Sequence, residues 1–496
     1  MGTIQHDADT KIEGESASRP SDARAKLSRR SVLKQTVLNA GLAAASMSMV
    51  HSEREACAGE PGPNDRIETA VIGIGARGKY LLGNFPERLR PIALCDCSLD
   101  QIATATDPSA KFRPLLDRFV SGDSRRCAKY QDYRKMLDKQ SFDAVVIAAP
   151  DHHHALAMIR AAEAGAHVYV EKPLAVTIAE GRAMVHAAKR HRRVVQVGSQ
   201  QRTMQVNRKA CEFVRDGGLG KVSLVEERNF PGPMPYESSR FEAGPIPGSL
   251  DWELFCGPTP LRPYHQDLWV KDAYRHGYLT WRGWDLFRDY SGHLMTNWGA
   301  HSVDMIQFAL GMDDSGPSEI ELRTGEIDSF IDDAWHQKTP PLGSVNDSRV
   351  DRLRFAPVVM RYPSGTEVHF KPGIRKTTFH GERGTLTISR NQYRSDPIEL
   401  LGTPDSEEQS KWDGEGHVAR PHLQNWVEAM SGEATLNAPI EVGHRTATAC
   451  HLANIARQIG KGFRWDPINE TVVGKSPASE SIDRPRREGF DWSDHS

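Results

Sequence analysis

Short apolar segments alternate with helical patterns between residues 67 and 197. The segment at 142–149 is almost wholly apolar, as expected of a strand that is buried on both faces of a parallel sheet, and the segment at 67–72 is also predicted to be a strand. Between such segments apolar residues recur at helical spacing, and helices are predicted at 79–85, 131–139, 155–164 and 178–191. This alternation predicts a doubly wound α/β domain, which we place at 66–200.

The pattern changes after residue 200. Residues 231–290 are rich in Pro, Gly, Trp and Tyr and show little periodicity, and the acidic stretch 313–348 is predicted to be a loop. Between 350 and 389, successive short runs separated by turn residues predict hairpins of an antiparallel sheet. We therefore predict a second α/β domain at 201–470, followed by a polar tail at 471–496.

Composition excludes several classes of partner. The chain of 496 residues carries 63 basic and 65 acidic residues, a formal net charge of -2, with no long basic run. We therefore expect neither nucleic acid nor an anionic membrane surface as a partner. No apolar run reaches the ~20 residues of a membrane-spanning helix. The seven cysteines lack CxxC spacing, which indicates neither a zinc cluster nor a disulfide framework.

The N-terminal segment has the pattern of an export signal. Ser28-Arg29-Arg30-Ser31 precedes a mildly apolar stretch at 36–50, and Ala56-Cys57-Ala58 resembles a cleavage site. Paired arginines in this context are typical of the twin-arginine export route. We therefore expect residues 1–60 to be a signal peptide and linker, and the mature protein to be periplasmic or extracytoplasmic. The alternative is a basic amphipathic helix on a cytosolic protein.

A glycine-rich turn follows the first predicted strand: Gly73-Ile74-Gly75-Ala76-Arg77-Gly78. In a strand–GxGxxG–helix unit the glycines permit a tight turn, a close approach of pyrophosphate and close helix–strand packing. Asp96 ends the next strand 18 residues past Gly78, near the distance expected for the acid that binds the adenosine ribose. Because a carboxylate repels a 2′-phosphate, Asp96 favours NAD over NADP. The alternative for Asp96 is a helix cap or a loop acid.

A histidine run follows the strand at 142–149, in the order Pro150-Asp151-His152-His153-His154. Adjacent residues diverge on a helix and do not converge on one ion, so we predict no metal site here. We expect instead that Asp151 caps a helix and that His154 and Pro150 lie near the cofactor.

The most informative motif is Glu171-Lys172-Pro173, which directly follows an apolar strand. Proline interrupts strand pairing, so Lys172 is expected at the carboxyl edge of the sheet, where open α/β sheets bind ligands. Burial there lowers the pKa of a lysine toward a useful range for acid–base chemistry. Without its surroundings, the motif would more often be a surface lysine beside a turn.

A second candidate site lies on a predicted helix that runs to about residue 310. Asn297, His301 and Asp304 or Met305 fall on one face of it. Polar groups on that face, in an otherwise apolar segment, indicate either a cleft or a hydrogen-bonded core. Arg202 follows the strand predicted at 194–197 and belongs to the same set of candidates.

These motifs resemble the glucose-fructose oxidoreductase / inositol dehydrogenase (Gfo/Idh/MocA) family over roughly residues 66–470, and in particular its exported branch common in planctomycete-type bacteria. The resemblance is carried by GIGARG at 73–78, VVIAAPDHHHALAMIRAAEAGAHVYVEKPLAVTIAEGR at 145–182, VVQVGSQQR at 194–202, NWGAHSVDMIQFALG at 297–311 and IEVGHRTATACHLANIARQIGK at 440–461.

The resemblance implies a Rossmann domain and a C-terminal α/β domain whose open, mostly antiparallel sheet serves oligomerisation, here as a homodimer or homotetramer. It places Lys172 beside the nicotinamide and the substrate hydroxyl, and makes His301 the acid/base. The family's usual acid in the Asp-x-x-x-His pattern is Asn297 here. An amide neither accepts a proton nor raises the pKa of a neighbouring histidine as a carboxylate does. On the sequence alone, His301 is the sole obvious base.

The resulting hypothesis is an NAD-dependent oxidoreductase that acts on a sugar or polyol hydroxyl. His301 removes the hydroxyl proton, Lys172 stabilises the oxyanion, and Asn297 and Arg202 orient the sugar ring. Export would require a tightly bound cofactor that is recycled within each cycle. Two alternatives remain: an NAD-assisted glycoside hydrolase that works by oxidation and elimination, and an inactive sugar-binding homologue, which Asn297 favours. The predicted cofactor-binding residues are Gly73, Gly75, Ala76, Arg77, Gly78, Asp96, Pro150, His154, Glu171 and Lys172.

Overall fold

The computed structural model describes residues 66–108, 113–236, 242–266, 268–269, 283–326, 352–410 and 419–491. The predicted export signal lies outside these residues, as does most of the predicted loop at 313–348. No helix in the described ranges is both long enough and apolar enough to span a membrane.

The N-terminal sheet has six parallel strands in the order β3-β2-β1-β4-β5-β6, which confirms the predicted doubly wound domain. Its strands are β1 (Ile67–Ile72), β2 (Leu89–Cys95), β3 (Ala128–Tyr130), β4 (Ala144–Ile147), β5 (His167–Val170) and β6 (Val195–Val197). Its helices are Ala76–Gly83, Leu99–Thr106, Arg113–Ser121, Tyr133–Lys139, His154–Glu163 and Ile178–Arg190. The central β4 is buried at every position, as its apolar sequence requires.

The second sheet has nine strands in the order β13-β12-β11-β7-β10-β9-β8-β14-β15. They are β7 (Val222–Arg228), β8 (Glu319–Leu322), β9 (Val358–Arg361), β10 (Glu367–Lys371), β11 (Thr377–Gly381), β12 (Gly384–Ser389), β13 (Gln392–Asp396), β14 (Phe463–Asp466) and β15 (Thr471–Val472). Only β7 and β10 pair in parallel, so the prediction of a mostly antiparallel sheet is confirmed.

The prediction of a loop throughout 313–348 was wrong at β8. This strand alternates acidic residues with Ile320, the one residue of the strand that is buried. A four-residue strand with one buried side chain leaves too weak an apolar signal to stand out among Gly, Pro and Ser. Pairing with β9 and β14 stabilises it instead.

The two faces of the nine-stranded sheet differ. One face packs against helices Gln205–Arg215, Gly299–Ala309 and Ile440–Ile459 and forms the largest apolar core. The other carries ion pairs, including Lys371 and His380 with Glu226 and Arg361 with Glu367. Partly exposed pairs of this kind contribute little stability, about 0–1 kcal/mol each. In the described ranges, the remaining α-helices are Trp252–Cys256, His293–Asn297, Ser406–Ser410 and Arg420–Met430.

The core of the N-terminal domain is completed by residues from the far end of the chain. Trp426, on helix Arg420–Met430, is fully buried against the parallel sheet. Phe490 is 5% exposed and packs into the core on the other side of that sheet. The predicted boundary at residue 200 separates the two sheets, but the first domain is not built from 66–200 alone.

The segment predicted as a polar, extended tail is held down by specific contacts. Arg484 Nε lies 2.8 Å from Glu180 Oε1, and Arg487 Nε donates to the Gly257 carbonyl at 3.0 Å. The guanidinium of Arg134 stacks over the Phe490 ring at 4.6 Å. Its polar residues therefore bind the domain surface, while Phe490 supplies a large buried apolar anchor.

Replacing Phe490 with Ala is expected to destabilise the protein by about 3–5 kcal/mol, because a buried aromatic ring is lost and a cavity remains. The matched control is Ile468→Ala, since Ile468 is 67% exposed. A surface change of this kind is expected to alter stability by less than about 0.5 kcal/mol. Urea unfolding followed by tryptophan fluorescence measures both. Equal midpoints for the two variants would contradict the anchoring role of Phe490.

Candidate active site

The glycine loop between β1 and helix Ala76–Gly83 has the shape that a dinucleotide requires. Gly73 has φ +87°, and a Cβ there would lie 2.3 Å from the Ala149 backbone nitrogen. A Cβ on Gly78 would lie 1.9 Å from the Gly73 carbonyl oxygen, so helix and turn touch backbone to backbone. A Cβ on Gly75 would meet nothing within 4 Å. The loop therefore leaves open space at the glycine that approaches pyrophosphate, beside the N–H groups of a helix start. These residues fit the predicted NAD.

Asp96 lies at the carboxyl end of β2, as predicted, and shapes this loop. Its Oδ2 accepts a hydrogen bond from the Ile74 N–H at 2.7 Å, and its Oδ1 accepts one from the Ser98 N–H at 2.8 Å. Burial raises the pKa of Asp96, and these backbone donors and Lys79 oppose that rise. Asp96 thus ties the turn after β1 to the end of β2. Its contact with a ribose stays a prediction.

Glu171, at the end of β5, anchors the start of the same helix. Its Oε1 accepts hydrogen bonds from Arg77 Nε at 2.9 Å, Arg77 Nη2 at 2.7 Å and Gln200 Nε2 at 3.0 Å. Burial alone would raise the pKa of Glu171, but the Arg77 guanidinium outweighs it and lowers the pKa. The carboxylate therefore stays ionised and links the glycine loop to the lysine motif.

Lys172 reaches across the boundary between the two domains. Its Nζ lies 2.9 Å from Asn297 Oδ1 and 3.0 Å from the Asn297 backbone oxygen. Burial lowers the pKa of Lys172, while Glu171 and Asp151 oppose the shift. The two residues that sequence patterns singled out separately thus meet in the structure. Two of the N–H groups on Nζ are directed to Asn297, which leaves one position on the nitrogen for another partner.

The three histidines brace the turn through backbone carbonyl groups. His152 Nε2 and His153 Nε2 both lie near the Phe255 carbonyl oxygen, at 2.8 and 2.9 Å. The His154 ring lies between the carbonyls of Pro173 (2.8 Å) and Ala149 (2.9 Å), and its buried position lowers its pKa. Across the described ranges, no three His, Cys, Asp or Glu side chains are grouped so as to hold a metal ion. Pro150 precedes the short 3₁₀ turn Asp151–His153 at the end of β4.

The predicted helix-capping role of Asp151 was wrong. Its side chain makes no cap, and its Oδ2 instead lies within hydrogen-bond distance of Ser291 Oγ, at 2.8 Å. Ser291 Oγ also lies 3.1 Å from Asp285 Oδ1, so one hydroxyl bridges two carboxyl groups. Both acids are buried, at 4% and 1% exposed. Burial and the nearby Asp285 raise the pKa of Asp151 to about 8.

Asp285 connects this pair to Asn297. Asn297 Nδ2 donates to Asp285 Oδ1 at 3.3 Å, and His293 Nδ1 lies 3.0 Å from Asp285 Oδ2. Burial lowers the pKa of His293, which favours a neutral ring with its proton on Nδ1. Lys172, Asn297, Asp285, Ser291 and Asp151 therefore form a continuous hydrogen-bonded chain. Two carboxyl groups, those of Asp285 and Asp151, are therefore linked to Lys172 through Asn297. The family's usual acid would instead stand at position 297 itself.

His301 and Asp304 have different surroundings. Trp298 separates helices His293–Asn297 and Gly299–Ala309 but keeps helical angles (φ -84°, ψ -41°), so His301 lies one turn beyond Asn297 on the same side. The Asp304 carboxylate instead accepts hydrogen bonds from Thr446 Oγ1 at 3.0 Å and Arg202 Nε at 2.9 Å. The predicted polar helix face thus belongs to the candidate site at Asn297 and His301, and to a hydrogen-bonded core at Asp304.

Arg202 has other partners than the predicted substrate. It is 3% exposed, and its guanidinium is held by Asp304 (2.9 Å) and Asp313 (2.7 Å). A substrate hydroxyl would have to displace one of these carboxylates. We therefore remove Arg202 from the proposed substrate-binding set and treat it as a residue that stabilises the second domain.

Sequence reasoning missed Asp285, Ser291 and His293. They lie at the end of the aromatic stretch 231–290 and just beyond it, where no periodicity shows which side chains turn inward. Asp151 carried a usable signal, because it follows β4 at the sheet edge where ligands bind.

The comparisons with known proteins agree with this geometry. Residues 67–199 match the model of the oxidoreductase family with an NAD-binding Rossmann fold, GFO_IDH_MocA, and residues 236–339 match the model of the C-terminal alpha/beta domain of the same family. The chain belongs to the Gfo/Idh/MocA oxidoreductase family. The predicted family and α/β architecture are confirmed.

Individual relatives match only in part. Inositol 2-dehydrogenase of Salmonella paratyphi B is 24% identical over 165 residues, 33% of this chain and 46% of the relative. A glycosyl hydrolase family 109 protein of Solibacter usitatus is 31% identical over 160 residues, 31% of this chain and 35% of the relative. The chain thus spans less than half the length of these relatives. The WlbA dehydrogenase of Bordetella pertussis, solved with NADH and UDP-GlcNAcA, shares the fold, with a TM-score of 0.53, 16% identity and coverage of 82% of this chain and 99% of that chain.

Two of the loop glycines, Gly75 and Gly78, should respond differently to an added methyl group. Gly75→Ala is expected to fold with an unchanged midpoint, because its Cβ meets nothing within 4 Å, but to bind NAD more weakly. Gly78→Ala is expected to lower the thermal midpoint, because its Cβ would clash with the Gly73 carbonyl. Thermal unfolding and equilibrium NAD titration separate the effects. Unchanged NAD affinity in Gly75→Ala would argue against pyrophosphate at this position.

Proposed function

We propose that this protein is an NAD-dependent oxidoreductase that acts on a hydroxyl group of a sugar or polyol. The observation that supports it most is the position of Lys172. Its Nζ is held by Asn297 across the domain boundary, one residue from Glu171, whose carboxylate binds Arg77 of the glycine loop. A partly buried amine is thus fixed beside a dinucleotide loop, with one position on the nitrogen open to a substrate oxygen.

The cofactor would be held by the glycine loop, the start of helix Ala76–Gly83 and Asp96. When bound, NAD would supply the hydride acceptor for the carbinol carbon. The carboxyl group of Asp96 lies near the expected ribose position, where an ionised carboxylate would repel a 2′-phosphate, and this supports NAD over NADP. Pro150 and His154 would shape the adjoining wall at the end of β4.

The residues of the chain would handle the proton of the substrate hydroxyl. We propose that Lys172 accepts it on Nζ and returns it in the reverse direction, since burial lowers the pKa of this amine. Asn297 orients Lys172 with its side-chain and backbone oxygens. His301, one turn further along, remains a candidate for orienting the hydroxyl or for taking the proton itself. This assignment shifts the acid–base role from His301 alone toward Lys172.

Export and assembly remain proposals. If residues 1–60 direct twin-arginine export, little free NAD would be available to the mature protein, and a tightly bound cofactor recycled in each cycle would be required. Oxidation of one sugar coupled to reduction of another meets that condition. The nine-stranded sheet, with one face not covered by the described helices, is the surface we propose for a homodimer or homotetramer.

NAD-assisted glycoside hydrolysis is a second candidate, supported by the partial match to a glycosyl hydrolase family 109 protein. It would use the same transient oxidation, and Lys172 would take part in the same way. Mass spectrometry of the products separates the two, because hydrolysis releases a shorter sugar without net oxidation. The inactive-homologue alternative is weakened, since Asp285 and Asp151 supply carboxyl groups near Lys172 that the sequence did not reveal.

Lys172→Met is expected to lower turnover by about 100-fold or more, the usual range for removing an acid–base group, while NAD still binds. Turnover of the native protein in the oxidation direction should rise with pH as the amine of Lys172 loses its proton, with a midpoint below that of an ordinary lysine. Lys189→Met is the control, because Lys189 is 69% exposed. Assays would follow nicotinamide absorbance across a sugar and polyol panel.

Comparison with His301→Ala identifies the base. If His301→Ala keeps the pH profile and Lys172→Met loses its alkaline rise, Lys172 is the proton acceptor. If Lys172→Met keeps full turnover, the proposed role of Lys172 is wrong. If no member of the panel reduces bound NAD and no glycoside is cleaved, the proposed function fails.

A further inference from the structure

We propose that Asp151, Ser291 and Asp285 form a proton-sharing group that acts on Lys172 through Asn297 and supplies the negative charge that the Asn297 amide lacks. These residues would be positioning residues, because each acts through a neighbour and not on the substrate. The proposal rests on the proposed function for its effect on turnover, but the sharing of the proton is a property of the protein alone.

The hydrogen-bond geometry requires one proton between the two acids. Ser291 Oγ lies 2.8 Å from Asp151 Oδ2 and 3.1 Å from Asp285 Oδ1. A hydroxyl has a single hydrogen and can donate to only one of them. The other contact is a hydrogen bond only if that carboxyl group is protonated and donates to Oγ. Two ionised carboxylates in this buried site would repel each other, and the single ammonium of Lys172 would balance only one of them.

The surroundings show which acid carries the proton. Asp285 accepts from Asn297 Nδ2 and from His293 Nδ1 in addition to Ser291, as an ionised carboxylate does. Among the hydrogen bonds in the described part of the chain, Asp151 has Ser291 as its one side-chain partner. Ser291 Oγ also accepts from the His293 N–H at 3.0 Å, which satisfies its remaining capacity. We therefore assign the proton to Asp151 and the negative charge to Asp285.

The charged and titratable groups facing this site are few. Lys172, Glu171 and Arg77 lie on the side of the parallel sheet, and Lys172 is held toward Asp285 by Asn297. His293, with Arg354 beyond it, faces Asp285 on the side of the second domain. Since Glu171 is bound to Arg77, Asp285 is the anion that remains to balance a protonated Lys172.

The proton movement within the group is balanced. When Asp151 passes its proton to Ser291 Oγ and Ser291 passes its own to Asp285, one O–H bond breaks and one forms at Ser291. The negative charge moves from Asp285 to Asp151, and no proton is gained or lost. The group can thereby adjust the field at Lys172 as its Nζ gains or loses the substrate proton, without exchange with water.

A charge-swap experiment tests the effect on Lys172. Asp285→Asn is expected to lower kcat by about 10-fold or more and to shift its pH profile, because a charge-assisted interaction with the lysine site is lost. Adding Asn297→Asp restores a carboxylate one step closer to Lys172, and the double variant should recover most of the lost kcat. The control Asp289→Asn removes a neighbouring carboxylate that is 31% exposed and paired with Arg262, and should change kcat less than about 2-fold.

The outcomes decide the proposal. Recovery in the double variant, with the same NAD affinity in all four proteins, supports a charge acting on Lys172. If Asp285→Asn leaves kcat unchanged, or the double variant is no better than Asp285→Asn, the proposed action on Lys172 is wrong. A purely structural role for Asp285 would not be rescued from position 297.

An infrared measurement tests proton sharing without any substrate. Near neutral pH, the difference spectrum of native protein minus Asp151→Asn should show the carbonyl stretching band of one protonated carboxylic acid, because other buried acids such as Glu227, whose pKa burial raises to about 7, contribute equally to both proteins. A difference spectrum without this band would overturn the assignment of the proton to Asp151. This result is independent of turnover, so failure to find a sugar substrate would overturn the proposed function and leave the proton-sharing test intact.

Discussion

The site depends on how a lysine amine is kept at a partly buried domain boundary. An ammonium taken out of water is costly unless oxygens replace its hydration. Here one residue, Asn297, offers both its side-chain and its backbone oxygen to Nζ, and a carboxylate lies one hydrogen bond further away. A carboxylate in direct contact would hold Lys172 in its charged form more firmly. Because the amide of Asn297 contacts the amine directly and the carboxylate lies one hydrogen bond further away, both the neutral and the charged form of Lys172 remain accessible.

This arrangement requires the two domains to keep a fixed relation. Helix Ile178–Arg190 follows the lysine motif and packs on the long helix Ile440–Ile459. Across that contact, Arg182 binds Glu441 and Glu470 at 2.8 Å each, and His444 approaches Glu470 at 2.6 Å. Networks of several partly buried charges with bidentate arginine geometry hold position better than isolated surface pairs. They keep Lys172 and Asn297 in register.

The sequence predicted the structure correctly where the conformation of a segment depends on residues close to it in the chain. The conformations of the apolar strands, the glycine turn and the proline after Lys172 are each determined by a few neighbouring residues. The parallel domain and the position of Lys172 at the sheet edge could therefore be predicted from the sequence. Prediction failed where a side chain takes its partner from a distant part of the chain. Arg202 was assigned to substrate because nothing nearby in sequence shows Asp304 and Asp313 closing around it. Asp285 lay unnoticed for the same reason, in a segment whose order comes from packing of aromatic side chains rather than from periodicity.

The burial of Phe490 beneath a sheet whose first strand begins at Ile67 also bears on how the protein is made. The N-terminal domain cannot complete its core until Phe490 has been synthesised, more than four hundred residues after Ile67. Helix Arg420–Met430 imposes the same delay on the opposite face of that sheet. Chains usually fold their first domain during synthesis. In this protein the packing of the first domain depends on residues that are synthesised long after its own strands.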